Sequence, residues 1–594
     1  MSSNQVTQSS QSTTGSSSQT VSGGTALAAL AVATTGAAVV TSGGATLTST
    51  SDAMRVQGTA ESRKAAARAG LQASLGVTAA IIDEIDRIGI EEWLDREMAA
   101  PNDENSVSFF SSRGLDAIDS NGHWRNEVNF DPMIWAQLMA GGSSVRKRMA
   151  LALSEIFVVS LTGLNLPWKA QAVGAYWDIL NRHAFSSFGQ LLEAVTLSPA
   201  MGAYLNMAGN RAADPNTGRV PDENFAREIM QLFTIGLVQL NPDGTPILVR
   251  GREIPTYSNA DVQGLAKVFT GFDLDYQGVS MVRPPIPHAP VPTVQLVRQP
   301  MTADPSRWFP RLSQSTHSPD EKSFLGVTIP GGLPPISTLR WALNVLVNHP
   351  NVGPFIGKQL IQRLVTSNPS RAYVARVASA FNNNGYGKRG DLGAVFKAII
   401  LDPEASSADS ITSPFFGKVR EPVLRYAQWG RTFGARSTSG SWRIRNMGVE
   451  TLLNQAPCRS PSVFNFFRPE YVAPKTQSAA NGMVAPELQI ATENAVAEYT
   501  NVIHRTVRDS VYWYDDIKAD YSFEISLAAD PDKLLDHLDL VLTAGQISQF
   551  TRDTVLDVIR STRINATNEL PGRLQRVQDA ITLIMVSNDY IVQK

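Results

Sequence analysis

What most limits the folds open to this chain is a helical spacing of apolar residues that begins near residue 60 and recurs almost to the end. In "TAAIIDEIDRIGIEEWLDREM", Ile81, Ile82, Ile85, Ile88, Ile90, Trp93 and Leu94 keep that spacing, with acids and arginine opposite. "SSVRKRMALALSEIFVVS" predicts a second helix, capped by Ser143 or Ser144 and strongly buried in its second half. "AVGAYWDILNRHAF" and "SSFGQLLEAVTLSPAMGAYL" follow, the latter broken near Pro199. "ISTLRWALNVLVNH", "RAYVARVASAFNNNG", "DLGAVFKAIILDPEA" and "DKLLDHLDLVLTAG" continue the habit. No fixed repeat period runs through them, which argues against a solenoid. The expected fold class is mainly α: a large multi-helix domain.

Two interruptions qualify that expectation. "GLVQLNPDGTPILV" reads as a small β-hairpin, with Asn-Pro-Asp-Gly turning between apolar runs. After a helix over 259 to 269, stopped at Gly271, residues 280 to 320 carry many prolines and read as a long surface excursion. A subdivision near 280–330 is open on that ground. Residues 1–55 stand apart from the helical domain at 56–594. Their opening is almost wholly Ser, Thr and Gln, so they are expected to be disordered. The apolar "TALAALAVATTGAAVV" is shorter than the roughly 18 residues of a membrane-spanning helix. With Arg55 as the first basic residue, it makes a poor secretory signal.

Composition narrows function mainly by exclusion. Lys plus Arg total 52 against 54 for Asp plus Glu, so no basic excess points to nucleic acid. Cys458 is the only cysteine, which rules out an intrachain disulfide, a CxxC redox pair and a multi-cysteine zinc site. Beside Pro457 and without a neighbouring histidine, it reads as an inert thiol. The GxSxG elbow, the phosphate-binding P-loop, HExxH and the dinucleotide glycine fingerprint are all missing from the sequence.

One stretch concentrates charge on an otherwise oily helix. In "PDENFAREIMQLFTIGL", Phe225, Ala226, Ile229, Met230, Leu232, Phe233, Gly236 and Leu237 form a broad apolar arc. Glu223, Arg227 and Glu228 share the remainder, with Glu223 four residues before Arg227. On an enclosed helix such charges either pair in a structural network or line a wet cleft. Both readings are open. In the cleft reading, Glu223 or Glu228 is the acid/base or ligand and Arg227 clamps an anion. The preceding "DPNTGRVPDE" places Asp214, Asn216 and Asp222 in a turn that begins like a calcium loop, making a divalent cation the one cofactor suggested. The alternative is turn and cap chemistry, with Asp222 as helix N-cap. "THSPDEKSFLG" adds His317 and Lys322 in an expected loop, His317 as proton carrier or ligand. His183 and His349 are expected at helix ends, where the dipole suffices to explain them.

"RKRMALALSEIFVVS", "LLEAVTLSPAMGAYLNM", "PDENFAREIMQLFTIGL", "YSNADVQGLAKVFTGF", "HSPDEKSFLG" and "GDLGAVFKAIILDPEA", in that order, resemble the bacterial domain-of-unknown-function family numbered eighteen hundred. The resemblance covers roughly residues 60 to 594. It implies a mostly helical protein, typically exported to the periplasm or cell surface, and brings no established reaction. It also implies a gene neighbour resembling sulfatases and alkaline phosphatases. Two function classes follow: a hydrolase acting on an anionic or saccharide-like substrate, or a non-catalytic envelope scaffold that partners the sulfatase-like protein.

Overall fold

Many helices begin where a side-chain oxygen caps them. Thr59 accepts from Ser62 N–H, Thr78 from Ile81 N–H and Ser143 from Arg146 N–H, opening the helices Ala60–Ala73, Ala79–Ile88 and Ser144–Ser154. Gly89, at φ +85°, ends one helix and starts the next. The computed structural model describes residues 58–118, 122–279, 296–511 and 514–594. The N-terminal segment at 1–55 and the proline run at 283–295 lie outside them.

Among the described residues 25 α-helices are present, and every sheet is a two-stranded antiparallel ladder. The chain is mainly α, as its periodicity indicates. The break at Pro199 is there: Phe188–Thr196 ends, and Pro199–Tyr204 restarts with the proline in its first turn. No described helix is long and apolar enough to cross a membrane.

The core centres on helices that are buried on nearly every side. Phe130–Met139 and Pro422–Thr432 bury nearly every residue, and Trp135 meets Tyr426 edge-on at 5.3 Å between centroids. Tyr426 stacks on Trp429 at 5.9 Å. Trp177 and Tyr176, both fully buried, extend this centre along Lys169–Arg182.

The small β elements differ from expectation in place. The turn at Asn241–Thr245 forms, with Asn241 N–H donating to Thr245 O at 2.8 Å, but its arms make only isolated bridges. Pro246 and Pro255 supply no N–H there, which interrupts the ladder. The regular ladder is one turn further on, Leu248–Val249 against Arg252–Glu253, around Arg250 and Gly251 at positive φ. A second ladder replaces part of the loop expected around His317: Lys322–Phe324 pairs with Val327–Ile329, turning at Leu325 and Gly326.

Candidate functional site

The polar stretch before the charged helix is organised by Asn210. Its Oδ1 accepts Asp222 N–H at 2.9 Å, and its Nδ2 donates to Asp222 O at 3.2 Å. Its own carbonyl accepts Gly271 N–H at 2.8 Å. Gly271 has φ +76°, and a Cβ on it would fall 2.6 Å from His317 N, so both backbone conformation and space require glycine. Ala212 N–H donates to Thr316 O at 2.8 Å. The structure thus brings the loop before the helix, the stop after helix Asn259–Ala266 and the His317 segment to one place.

Within that place each candidate has a local duty. The helix runs Asn224–Gln231, with Glu223 in the cap position and Asp222 Oδ1 accepting Asn224 N–H at 2.8 Å. Asp222 is thus not the N-cap that the sequence suggests: Glu223 holds that position without a side-chain cap bond, and Asp222 closes a turn onto Asn224 N–H instead. Asp214 Oδ1 accepts Asn216 N–H at 3.0 Å, the main reason its carboxyl sits below the usual range. Asp214 N–H donates to Arg219 O, closing a turn. Among the described residues no group of three or more His, Cys, Asp or Glu could hold a metal ion.

Arg227 Nη2 meets Glu223 Oε2 at 3.1 Å, but the two side chains are 41% and 33% exposed. The helix is less enclosed than its apolar arc implied, because it ends at Gln231 and Gly236 reverses the chain at φ +70°. Leu237, assigned to that arc, is exposed as a result. An exposed pair contributes little, so Arg227→Ala is expected to lower stability by under about 1 kcal/mol in a denaturant titration. A larger loss would return Arg227 to a buried network.

Glu228 is the exception on this helix. Its side chain is buried, its Oε2 has no protein partner, and burial raises its carboxyl pKa while Arg227 lowers it in part. A carboxyl raised on folding supports stability at low pH and withdraws that support as pH rises through its folded pKa. Glu228→Gln is therefore expected to stabilise the protein by about 1 kcal/mol at pH 8. Melts repeated below about pH 4, where the wild-type group is protonated in both states, should show the gap closed. A variant less stable than wild type at pH 8 would reject this account.

His317 Nδ1 lies 2.7 Å from Thr270 O, which places the ring proton on Nδ1. Nε2 is buried with no protein partner. Burial lowers the pKa first and Lys322 lowers it further, against the Thr270 bond, so the ring is neutral near pH 7. Lys322 is not in a loop: it starts a strand, points inward and donates Nζ–H to Ser318 O at 2.7 Å. No hydrogen bond or ion pair joins His317 to Glu223 or Glu228 among the described residues. His183 and His349 do close helices, as expected, and burial lowers the pKa of both. Burial pushes the Cys458 thiol up to about 12, which makes it inert.

A dense cluster of buried charge lies elsewhere among the described residues, where no local sequence pattern announces it. Glu155, just past helix Ser144–Ser154, meets Arg363 at 3.5 Å, both side chains 6% exposed. Lys418 meets Glu487 at 3.1 Å, both still more enclosed. Glu155 and Glu421 are close enough for each to shift the other's carboxyl, in opposite directions, which favours one proton on the pair. Arg148 lies among all three glutamates, and Gln455 Nε2 donates to Glu421 Oε2 at 2.5 Å. Burial holds Glu155 well above the usual carboxyl range. Burial would raise Glu421 too, but neighbouring Glu155, Lys418 and Arg148 keep it below. The legible signal was Arg148 and Glu155, seven residues apart and so on one face of a run that is otherwise oily.

The family described as "Protein of unknown function (DUF1800)" has a model that matches residues 68–592. The chain belongs to that family. The match spans both the Asn210 convergence and all six members of the buried charge cluster. No curated protein and no solved structure matches the chain.

Proposed function

We propose that this protein is a non-catalytic, exported scaffold of the cell envelope that binds a protein partner. The first partner to test is the sulfatase-like protein that the family resemblance implies. The supporting observation is how the charged groups between 214 and 322 are engaged. Asp214 and Asp222 hold neighbouring backbone N–H groups, Arg227 pairs along its own helix, and His317 and Lys322 each donate to a main-chain carbonyl. Groups tied in this way shape a loop surface, whereas acid/base catalysis needs a positioned proton carrier within reach of a substrate. The adjoining meander presents Leu237, Leu248 and Val249 at 55%, 58% and 55% exposure, apolar side chains of the kind a partner covers.

A second reading has its own support. Glu228 Oε2 and His317 Nε2 are buried without protein partners, as the acid and base of a hydrolase acting on an anionic or saccharide-like substrate would be before substrate arrives. Co-expression with the sulfatase-like neighbour, followed by size-exclusion chromatography with light scattering, separates the two. The scaffold reading expects one peak at the summed mass, lost in Leu248→Asp with the melting temperature unchanged. Two separate peaks, together with ester hydrolysis by the purified chain that Glu228→Gln abolishes, would replace it with the hydrolase. Cell fractionation tests the location, and a wholly cytoplasmic protein would overturn export.

A further inference from the structure

Two stretches of chain are laced together at Asp273 and Thr302, which exchange N–H···O bonds of 3.1 and 2.9 Å. Tyr276 N–H donates to Arg307 O at 2.9 Å, and Trp308 Nε1–H donates to Thr302 O, also at 2.9 Å. This lacing surrounds a buried carboxylate, Asp275, which is 4% exposed. Its Oδ1 accepts Gln277 N–H at 2.9 Å and Arg307 Nε–H at 3.0 Å, and Arg307 Nη2 meets Oδ2. A carboxylate so enclosed needs a charged partner. The two-point contact in turn holds the guanidinium in one orientation and cancels its charge. Gln299 is fixed as firmly. Its Nε2 donates to the carbonyls of Asp275 at 2.8 Å and Gln277 at 3.0 Å, which leaves Oε1 as an acceptor without a protein donor among the described residues.

A cleft of ≈470 Å³ opens beside these groups, within the roughly 300 to 1,000 Å³ of small-ligand sites. Gln277, Gln299, Thr302 and Arg307 line it, with Pro300 and Met301 as its apolar part. Their hydrogen-bonding capacity is only partly used. Among the described residues, the Gln277 side-chain amide and Arg307 Nη1 have no protein hydrogen bond. Thr302 Oγ1 accepts Asp304 N–H at 3.1 Å and still has its proton to donate. The lining residues thus offer a guanidinium edge, a hydroxyl and an amide N–H as donors, and the oxygens of two amides as acceptors. With Asp275 set against Arg307, they carry no net charge.

We propose that this cleft binds a short neutral saccharide. Each sugar hydroxyl is donor and acceptor at once, which suits a lining that mixes amides, a hydroxyl and a guanidinium edge. Pro300 and Met301 give the C–H face of a ring an apolar surface to rest on. A phosphate or carboxylate would meet the same donors, but Asp275 already balances the one cation among the lining residues. Nothing then offsets the cost of stripping water from an anion. The cleft shares no residue with the Glu228 and His317 pair or with the Leu237, Leu248 and Val249 surface, so it stands or falls apart from both the scaffold and the hydrolase.

The test titrates the purified full chain by calorimetry with cellobiose, maltose or N,N′-diacetylchitobiose, and with sodium sulfate as the anion. The expected result is saturable binding of at least one disaccharide, with Kd of about 1 mM or tighter, and none of sulfate. Gln277 is exposed, so Gln277→Ala should melt as wild type does. It should weaken that disaccharide about fivefold, the worth of one hydrogen bond. Gln277→Trp, which fills the cleft, should abolish binding, and Arg340→Gln on the surface should leave it unchanged. Binding of none of the three disaccharides, sulfate binding as tightly as any of them, or an affinity unchanged in either Gln277 variant would overturn the site.

Discussion

Replacing Arg363 with alanine is expected to cost the protein about 3 to 5 kcal/mol, among the largest effects of any single side chain outside the aromatic core. Arg363 opposes Glu155 and donates to Glu155 O at 3.0 Å, and its charge also acts on Glu421 and Glu487. Removing it leaves buried carboxylates without their counter-charge, and water cannot reach them to compensate. Arg340 provides the control. Its contact with Glu193 is shorter, 2.9 Å against 3.5 Å, yet the two side chains are 64% and 31% exposed. Arg340→Ala should cost under about 1 kcal/mol. Burial, not distance, ranks the two pairs. The measurement is the shift of the denaturant midpoint, with the slope checked for two-state behaviour. Equal losses for the two variants would show that the buried cluster is solvated and that its charges are not mutually dependent.

That cluster also marks the limit of what the sequence discloses. Helices such as Arg371–Asn382 and Leu392–Ile400 are visible in the spacing of their apolar residues, because helix formation is local and amphipathic. So is the pairing of Glu223 with Arg227, which one helix suffices to create. The extent of that helix was harder to see: Gly236 at positive φ ends the apolar arc early and turns Leu237 outward. The ladders at Arg250-Gly251 and Leu325-Gly326 were missed because Arg and Leu rarely take the left-handed conformation that such turns need. Glu155, Arg363, Lys418, Glu421 and Glu487 come from elements up to 332 residues apart, and no local pattern reports their meeting. Asn210 belongs with them. Nothing in "NMAGNRAADP" shows that its amide will join Asp222 while its carbonyl holds Gly271.

The shared proton yields the second large prediction, an asymmetry between two chemically identical substitutions. Glu155→Gln replaces the carboxyl whose neutral form burial and the neighbouring Glu421 favour, so it should change stability by no more than about 1 kcal/mol at pH 7. Glu421→Gln removes the charge that Lys418 and Arg148 require, and should cost about 3 kcal/mol. The pH dependence carries opposite signs. Glu155 has a raised carboxyl pKa, so its contribution is complete below the ordinary glutamate range and is lost as pH rises through the folded value. Glu421 has a lowered one, so its contribution is present above that range and is lost on acidification. Wild type should therefore weaken on the alkaline side in a way that Glu155→Gln does not. Glu421→Gln should lack the part of the acid-induced loss that Glu421 itself causes. The cause is proximity: two neighbouring carboxyls in a dry interior oppose each other's ionisation, and Lys418 and Arg148 favour the charge on Glu421. Denaturant midpoints for the three proteins across pH 4 to 9 measure all of this. Equal losses from the two substitutions at pH 7 would mean that both glutamates are charged and that no proton is shared.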